Sequence, residues 1–193
     1  EKEQEMIGKA RDRAHGLIAL INDILDLSRI DRKKSLKEMR PVDIKSLLIE
    51  TIDFYQNRID SKSQKLNMTI QSDMPPILGN KEDLSRLFAN LVSNAIKYTP
   101  KDGELAVSAR VTNSHVEIEV TDKGIGISKE AQEHIFDEFY RAKNALDKKI
   151  TGTGLGLSIA KKIANDHRGF IDIESEENKG SIFRVLLPVI SDS

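Results

Sequence analysis

The apolar residues change period along this chain, and each change marks a different kind of element. From Ile7 to Ser28 they recur as Ile7, Ala10, Ala14, Leu17, Ile21 and Ile24, alternately three and four residues apart. That spacing averages 3.5, the period of a helix packed in a left-handed bundle. Met6, Leu20 and Leu27 widen the stripe on one side. A helix of about four to five turns is predicted, since no glycine or proline follows Gly16 until Pro41. One amphipathic helix cannot bury such a stripe, so its partner is expected from another chain or from a further segment. Packing on its own domain is the alternative, which the regularity of the seam disfavours. The charged stretch Arg32 to Arg40, stopped by Pro41, divides the chain into residues 1–40 and residues 41–190.

Beyond the boundary the pattern is mixed. Asp43 is placed to cap a helix with Ile44, Leu47, Leu48, Ile52 and Tyr55 on one face. Leu66, Met68 and Ile70 alternate as in a half-buried strand, and Ile77-Leu78 makes a short one. Asn80, with Asp83 three residues on, resembles a capping box for a helix carrying Leu84, Leu87, Phe88, Leu91, Val92, Ala95 and Ile96. Leu105 to Val111 and Val116 to Val120 alternate across Asn113-Ser114 as a hairpin. A third helix spans Leu155 to His167 and is closed by Gly169. A last hairpin runs from Phe170 to Leu187 and turns at Glu177 to Gly180. Helices and mostly antiparallel strands in mixed order predict an α+β two-layer sandwich.

Composition narrows the function. The 193 residues hold 30 Lys+Arg against 31 Asp+Glu, a net charge of -1, which makes no case for nucleic acid as a partner. The absence of cysteine excludes disulfides, thiolate metal sites and cysteine nucleophiles. No apolar run approaches the roughly 18 residues of a membrane span, and the charged start Glu1 to Glu5 is unlike a signal peptide. A soluble, cytoplasmic piece is expected.

Three local patterns carry chemistry. Asn90 and Asn94 lie four apart on one helix face, with Lys97 and Tyr98 a turn further on. Their amide oxygens suit a magnesium ion already held by phosphate oxygens, although two asparagines can equally be the solvated side of an amphipathic helix. Asp122-Lys-Gly124-Ile-Gly126-Ile127 follows the strand ending at Val120. The glycines let backbone approach a ligand, and the carboxylate can accept from an exocyclic amine such as that of adenine. An ordinary turn uses the same residue types. Gly152-Thr153-Gly154-Leu155-Gly156-Leu157 opens the third helix, where successive amides and the helix N-terminus favour phosphate oxygens. Its spacing is neither that of a Walker loop nor that of the dinucleotide fingerprint, and a flexible loop is the plain alternative.

Together these patterns resemble the catalytic part of the sensor histidine kinases of two-component signalling, within the GHKL group that also holds the gyrase B subunit, heat-shock chaperones and mismatch-repair ATPases. The asparagine stretch is similar to the N box and Asp122 to Ile127 to the first glycine box. Phe136-Asp-Glu-Phe139-Tyr-Arg141 matches the F box, Gly152 to Leu157 the second glycine box, and Gly180-Ser-Ile-Phe183 the closing strand. Leu20 to Ile30 resembles the end of the second dimerisation helix.

The resemblance implies the Bergerat fold, with three helices on a mixed sheet and ATP between them. It implies that Asn94, with Asn90, binds Mg2+, and that Lys97 and Tyr98 face the phosphates. Asp122 would accept from the adenine amino group, with Gly124, Gly126 and Ile127 lining the base. Arg141 would reach the phosphates, and Gly152, Thr153, Gly154, Leu155, Gly156 and Leu157 would frame the triphosphate. Asn90, Lys97 and Arg141 are the expected catalytic residues. Residues Ser128 to Ile150 would form a lid, and the charged Lys143 to Lys149 fits a mobile loop. The implied partners are a phosphoacceptor dimerisation helix, a response regulator receiver domain and a second copy in a homodimer. The parent would be membrane-anchored.

Three departures matter. None of His15, His115, His134 and His167 has the phosphoacceptor context, so that helix is expected to be missing or supplied in trans. His15 is expected to be a surface residue, and His167 to interact with the end of its helix. Thr151 replaces a frequent glycine ahead of the second glycine box, a change expected to be tolerated. Ile182 stands where a hydroxyl residue often sits in the closing strand, and would remove a contact near adenine. Asn90 occupies the place of the glutamate that activates water in the gyrase-like relatives, and an amide cannot act as that base. Phosphoryl transfer to a protein is therefore expected over hydrolysis. An ATP-hydrolysing machine and a nucleotide-binding regulatory module without transfer activity are the alternatives.

Overall fold

A computed structural model describes residues 6–8, 11, 14, 17, 18, 20–25, 38–148 and 150–190. The elements after the boundary are β1 (Arg40–Val42), α1 (Ile44–Ser61), β2 (Lys65–Ile70), β3 (Ile77–Gly79), α2 (Lys81–Tyr98), β4 (Glu104–Thr112) and β5 (His115–Asp122). They are followed by α3 (Lys129–Gln132), α4 (Lys143–Asp147), α5 (Gly156–Asp166), β6 (Phe170–Glu176) and β7 (Gly180–Pro188). Five strands form one sheet in the order β2-β4-β5-β7-β6, with β2 and β4 parallel and the rest antiparallel. The three long helices cover one face, with α2 packed between α1 and α5. The α+β two-layer reading holds.

The local signals explain most of the element starts. Asp43 caps α1, its carboxylate accepting from Ser46 N at 3.3 Å and Ser46 Oγ at 2.6 Å. Asn80 caps α2 by accepting from Asp83 N at 3.1 Å. The other half of the expected capping box is replaced, because the Asn80 N–H donates to His167 Nε2 at 3.0 Å. His167 Nδ1 lies 2.7 Å from Ile163 O, so the ring donates to the end of α5 and accepts from the start of α2. This histidine is only 3% exposed. Its expected contact with the helix end is present, and it also ties two helices together.

Alternation along the strands aims one set of side chains into the core. Val116, Ile118 and Val120 of β5 face the same interior as Phe183, Val185 and Leu187 of β7. Against them pack Leu84, Leu87, Phe88 and Leu91 of α2 and Ile159 and Ile163 of α5. The β4–β5 hairpin turns at Asn113, whose φ of 52° is one asparagine tolerates.

Three elements were not anticipated: β1 and the short helices α3 and α4. Strand β1 pairs antiparallel with β3, a pairing of three residues each that no alternation could announce. The segment expected to be a mobile loop contains α4, where Ala145 is 4% exposed and thus pins the turn to the domain.

The helical residues between 6 and 25 leave Met6, Ile7, Leu17, Ile21 and Ile24 exposed, so the domain does not cover the predicted seam. Leu20 packs against the core. Ala10, His15 and Leu27 lie outside the described residues. Among the described residues, no helix is long and apolar enough to cross a membrane.

Candidate functional site

The carboxyl end of β5 carries Asp122, and the strand register sets it directly opposite Ser181 of β7. Asp122 is 4% exposed. Its Oδ1 accepts from the Gly124 N–H at 2.8 Å, which folds the chain back over the carboxylate. Burial pushes the Asp122 pKa up to about 6, against the opposing pull of backbone hydrogen bonds from Gly124 and Ser181 and of the nearby Lys123 charge. Gly126 follows with φ 62°, and a Cβ there would lie 1.9 Å from Glu176 O. Only glycine fits that combination of left-handed backbone and close approach.

Asp122, Gly126 and Ser181 line a pocket together with Ile125, Ile127, Ile135, Leu157 and Phe183, and with Tyr140, Asn144 and Ala145 from the segment before the glycine loop. The walls are mostly apolar, with the carboxylate as the fixed polar group, an arrangement suited to a flat heterocycle bearing an amine. Asn144 holds the lid against this wall by donating to Gly126 O at 2.9 Å.

Beside the pocket lies a cleft of about 540 Å³ lined by Asn90, Asn94, Lys97, Tyr98, Arg141, Gly152, Thr153, Gly154, Gly156 and Leu157. The two cavities share Asn94, Tyr98, Ile135, Tyr140, Arg141 and Leu157, so they adjoin. A Cβ on Gly156 would stand 3.2 Å from Asn90 Oδ1, and one on Gly152 would stand 2.6 Å from Lys97 Nζ. The glycine loop therefore runs directly across the polar face of α2. Lys97 Nζ sits 4.5 Å from the Tyr98 ring centroid, a cation–π distance. Arg141 donates to Ile150 O, bridging the stretch that holds α4, and its Nε is buried without a partner. Thr153 Oγ1 accepts from Leu155 N at 3.3 Å and donates to Asp23 Oδ2 at 2.6 Å, so a carboxylate from the N-terminal helix also enters the cleft.

Most of the residues singled out from sequence thus converge on these two adjoining cavities. Gly124 acts beneath them, through the Asp122 carboxylate. Leu155 lines neither: the side chain is 0% exposed and belongs to the core. The expectation for Ile182 is also corrected. Alternation in β7 turns Ser181 and Phe183 toward the pocket and Ile182 to the other face, so the hydroxyl is supplied by Ser181. Sequence reasoning missed Ser181, Tyr140 and Asn144 around Asp122, and Tyr55, Arg58 and Lys62 in the neighbouring cleft. The register of β7 against Asp122 could have found the serine. Nothing local announces the lysine.

Comparison with known proteins gives this geometry a family. Residues 79–191, more than half of the chain, match the model of the histidine kinase-, DNA gyrase B-, and HSP90-like ATPases. The chain belongs to that ATPase family. Among curated proteins, this ATPase domain and its N-terminal helix are 35% identical over 182 residues to the sensor-like histidine kinase SenX3 of Mycolicibacterium smegmatis. That match covers 93% of this chain and 46% of SenX3, so the chain spans about half the length of its relative. Among solved structures, the nucleotide-free catalytic domain of the histidine kinase ThkA is 27% identical, with a TM-score of 0.69 over 78% of this chain and 95% of that one. Full-length ShkA in complex with AMPPNP shares the fold, with a TM-score of 0.80 at 24% identity over 100% of this chain and 40% of that one. The ATPase domain is accordingly that of a sensor histidine kinase.

Proposed function

We propose that this domain binds ATP with magnesium and transfers the γ-phosphate to a histidine on a dimerisation helix, for relay to an aspartate of a response regulator. The observation that carries the reading is the adjacency of the two cavities, with the Asp122 carboxylate in one and the Asn90 and Asn94 amides in the other. Adenine would donate its amino hydrogen to Asp122, between Ile127, Leu157 and Phe183. The triphosphate would run past Tyr98 toward Lys97, Arg141 and the amides of Gly152 to Gly156.

The donor set at the phosphate end fits magnesium. Among the described residues no cluster of His, Cys, Asp or Glu could hold a metal unaided. Neutral amide oxygens suit a hard cation that arrives on phosphate oxygens. Asn90 Nδ2 is buried without a partner, so no protein hydrogen bond opposes turning its oxygen toward a cation. Bound there by Asn90 and Asn94, magnesium would neutralise charge on the phosphates.

Transfer breaks the bond from the γ-phosphorus to the ADP oxygen and forms one to an imidazole nitrogen, which gives up its proton. Lys97 and Arg141 would steady the charge on the transferring group, where positioning and electrostatics do most of the catalysis. Asn90 supplies no base for water. The test mixes this chain with a fragment bearing a phosphoacceptor helix of the family and radiolabelled ATP-magnesium. Acid-labile label on the helix histidine is expected. ATP binding without transfer would favour a purely regulatory module, and robust hydrolysis without the fragment would favour a free-running ATPase.

A further inference from the structure

We propose that Lys62 and Gln64 are positioning residues for the phosphate end, holding the last turn of α2 and cancelling the negative pole it would turn toward a triphosphate. This deepens the ATP-binding reading and rests on it.

The physical problem is one of helix direction. The final carbonyls of a helix lack intrahelical partners, and the C-terminus carries about half a negative charge. Helix α2 ends with Lys97 and Tyr98, and Asn94, Ile96, Lys97 and Tyr98 all border the cleft. An anion placed there meets a helix end of the wrong sign. Helix α5 is opposite in sense, since it starts at the glycine loop and offers its N-terminus. The anion site is therefore built between one favourable and one unfavourable helix end.

The unfavourable end is occupied. Lys62, the residue after α1, places Nζ 2.6 Å from Ile96 O and 2.6 Å from Thr99 O, with Lys97 O at 3.4 Å. Gln64 Nε2 lies 3.1 Å from Ile96 O, 2.9 Å from Thr99 O and 3.2 Å from Pro100 O. Gln64 is 7% exposed, so its amide is committed to this end. Burial also holds the Lys62 ammonium below the usual lysine range.

A lysine that merely filled carbonyl valences could sit anywhere around the helix end. Lys62 lines the cleft itself, alongside Asn94 and Lys97. Lys62 thus stands at the wall along which the triphosphate is proposed to run, while its hydrogen bonds hold the turn that carries Lys97 and Tyr98. Charge and capping are separable by substitution, because glutamine keeps a donor and loses the charge.

The test compares the parent chain with Lys62→Gln and Lys62→Arg by calorimetry, using MgATP, MgADP and adenosine, with Tm as a measure of the fold. Lys62→Gln is expected to weaken MgATP about fivefold, MgADP less, and adenosine not at all. Lys62→Arg, with both charge and donors, is expected to stay within about twofold of the parent. Equal losses for MgATP and adenosine, or a lowered Tm with MgATP affinity unchanged, would reduce Lys62 to a structural cap and overturn the proposal. So would an arginine variant as impaired as the glutamine one. If the parent bound neither MgATP nor adenosine, the ATP-binding reading itself would fail, a separate outcome.

Discussion

The two ends of the cleft are made from different materials. At the end proposed for the base, the carboxylate and the wall beside it, Asp122, Ser181 and Phe183, stand on two neighbouring strands whose register fixes their spacing. Tyr140, Asn144, Ala145 and Leu157 close the rest. At the phosphate end, the contributing groups come from the end of α1, the second half of α2, the start of α5, the lid segment and Asp23 of the N-terminal helix. A sheet ladder holds its parts through a continuous run of backbone hydrogen bonds, whereas helix ends and loops move relative to one another at low cost. On the proposed reading, the difference teaches that the polar contact to the base is set by strand register, and that control over the phosphates would act by shifting helices and loop.

If that contrast is right, damage at the base end removes all nucleotide binding. Gly126→Ala introduces a Cβ 1.9 Å from Glu176 O at a positive φ, and its expected effect is the largest. Adenosine and MgATP should both fall below detection by calorimetry, with a Tm lowered by several degrees. Damage at the other end should be selective. Asn94→Ala should weaken MgATP by about 30-fold, in line with the loss of one polar contact to a charged ligand, while adenosine binds as before. Equal losses for both ligands would break the comparison.

A pH titration sharpens it further. The Asp122 pKa of about 6 lies above its ordinary 3.8, so protonation favours the native fold. Stability from this group is fully present below about pH 3.8 and is lost as pH rises through about 6. Binding runs the other way, because the amine needs the charged acceptor. Adenosine affinity should fall several-fold as pH drops through about 6, and Asp122→Asn should abolish that dependence. The smallest effect is expected at Asp23. Removing its carboxylate from Thr153 with Asp23→Ala should raise MgATP affinity about two- to threefold and leave adenosine unchanged.

The same contrast governs what could be read from the chain. Helix caps such as Asp43 and Asn80, the strand alternation and the glycine at 126 are written in neighbouring residues, and they were legible. So was most of the site, because its boxes are contiguous stretches. What escaped depends on partners far apart in sequence. His167 reaches Asn80 across 87 positions, and Lys62 meets Ile96 and Thr99 across more than 30. Ile182 was misjudged in favour of its neighbour's role because only the register against β5 says which of the two faces Asp122. Leu155 looked like part of the loop because its neighbours are glycines, yet burial claims it for the core.

One substitution speaks most directly to whether a nucleotide lies along this cavity. Asp122→Ala should fold, and in calorimetry it should lose adenosine and MgATP together by about 30-fold or more, since a charged hydrogen bond to the base disappears. MgATP affinity equal to that of the parent chain would contradict the placement of adenine and the account built upon it.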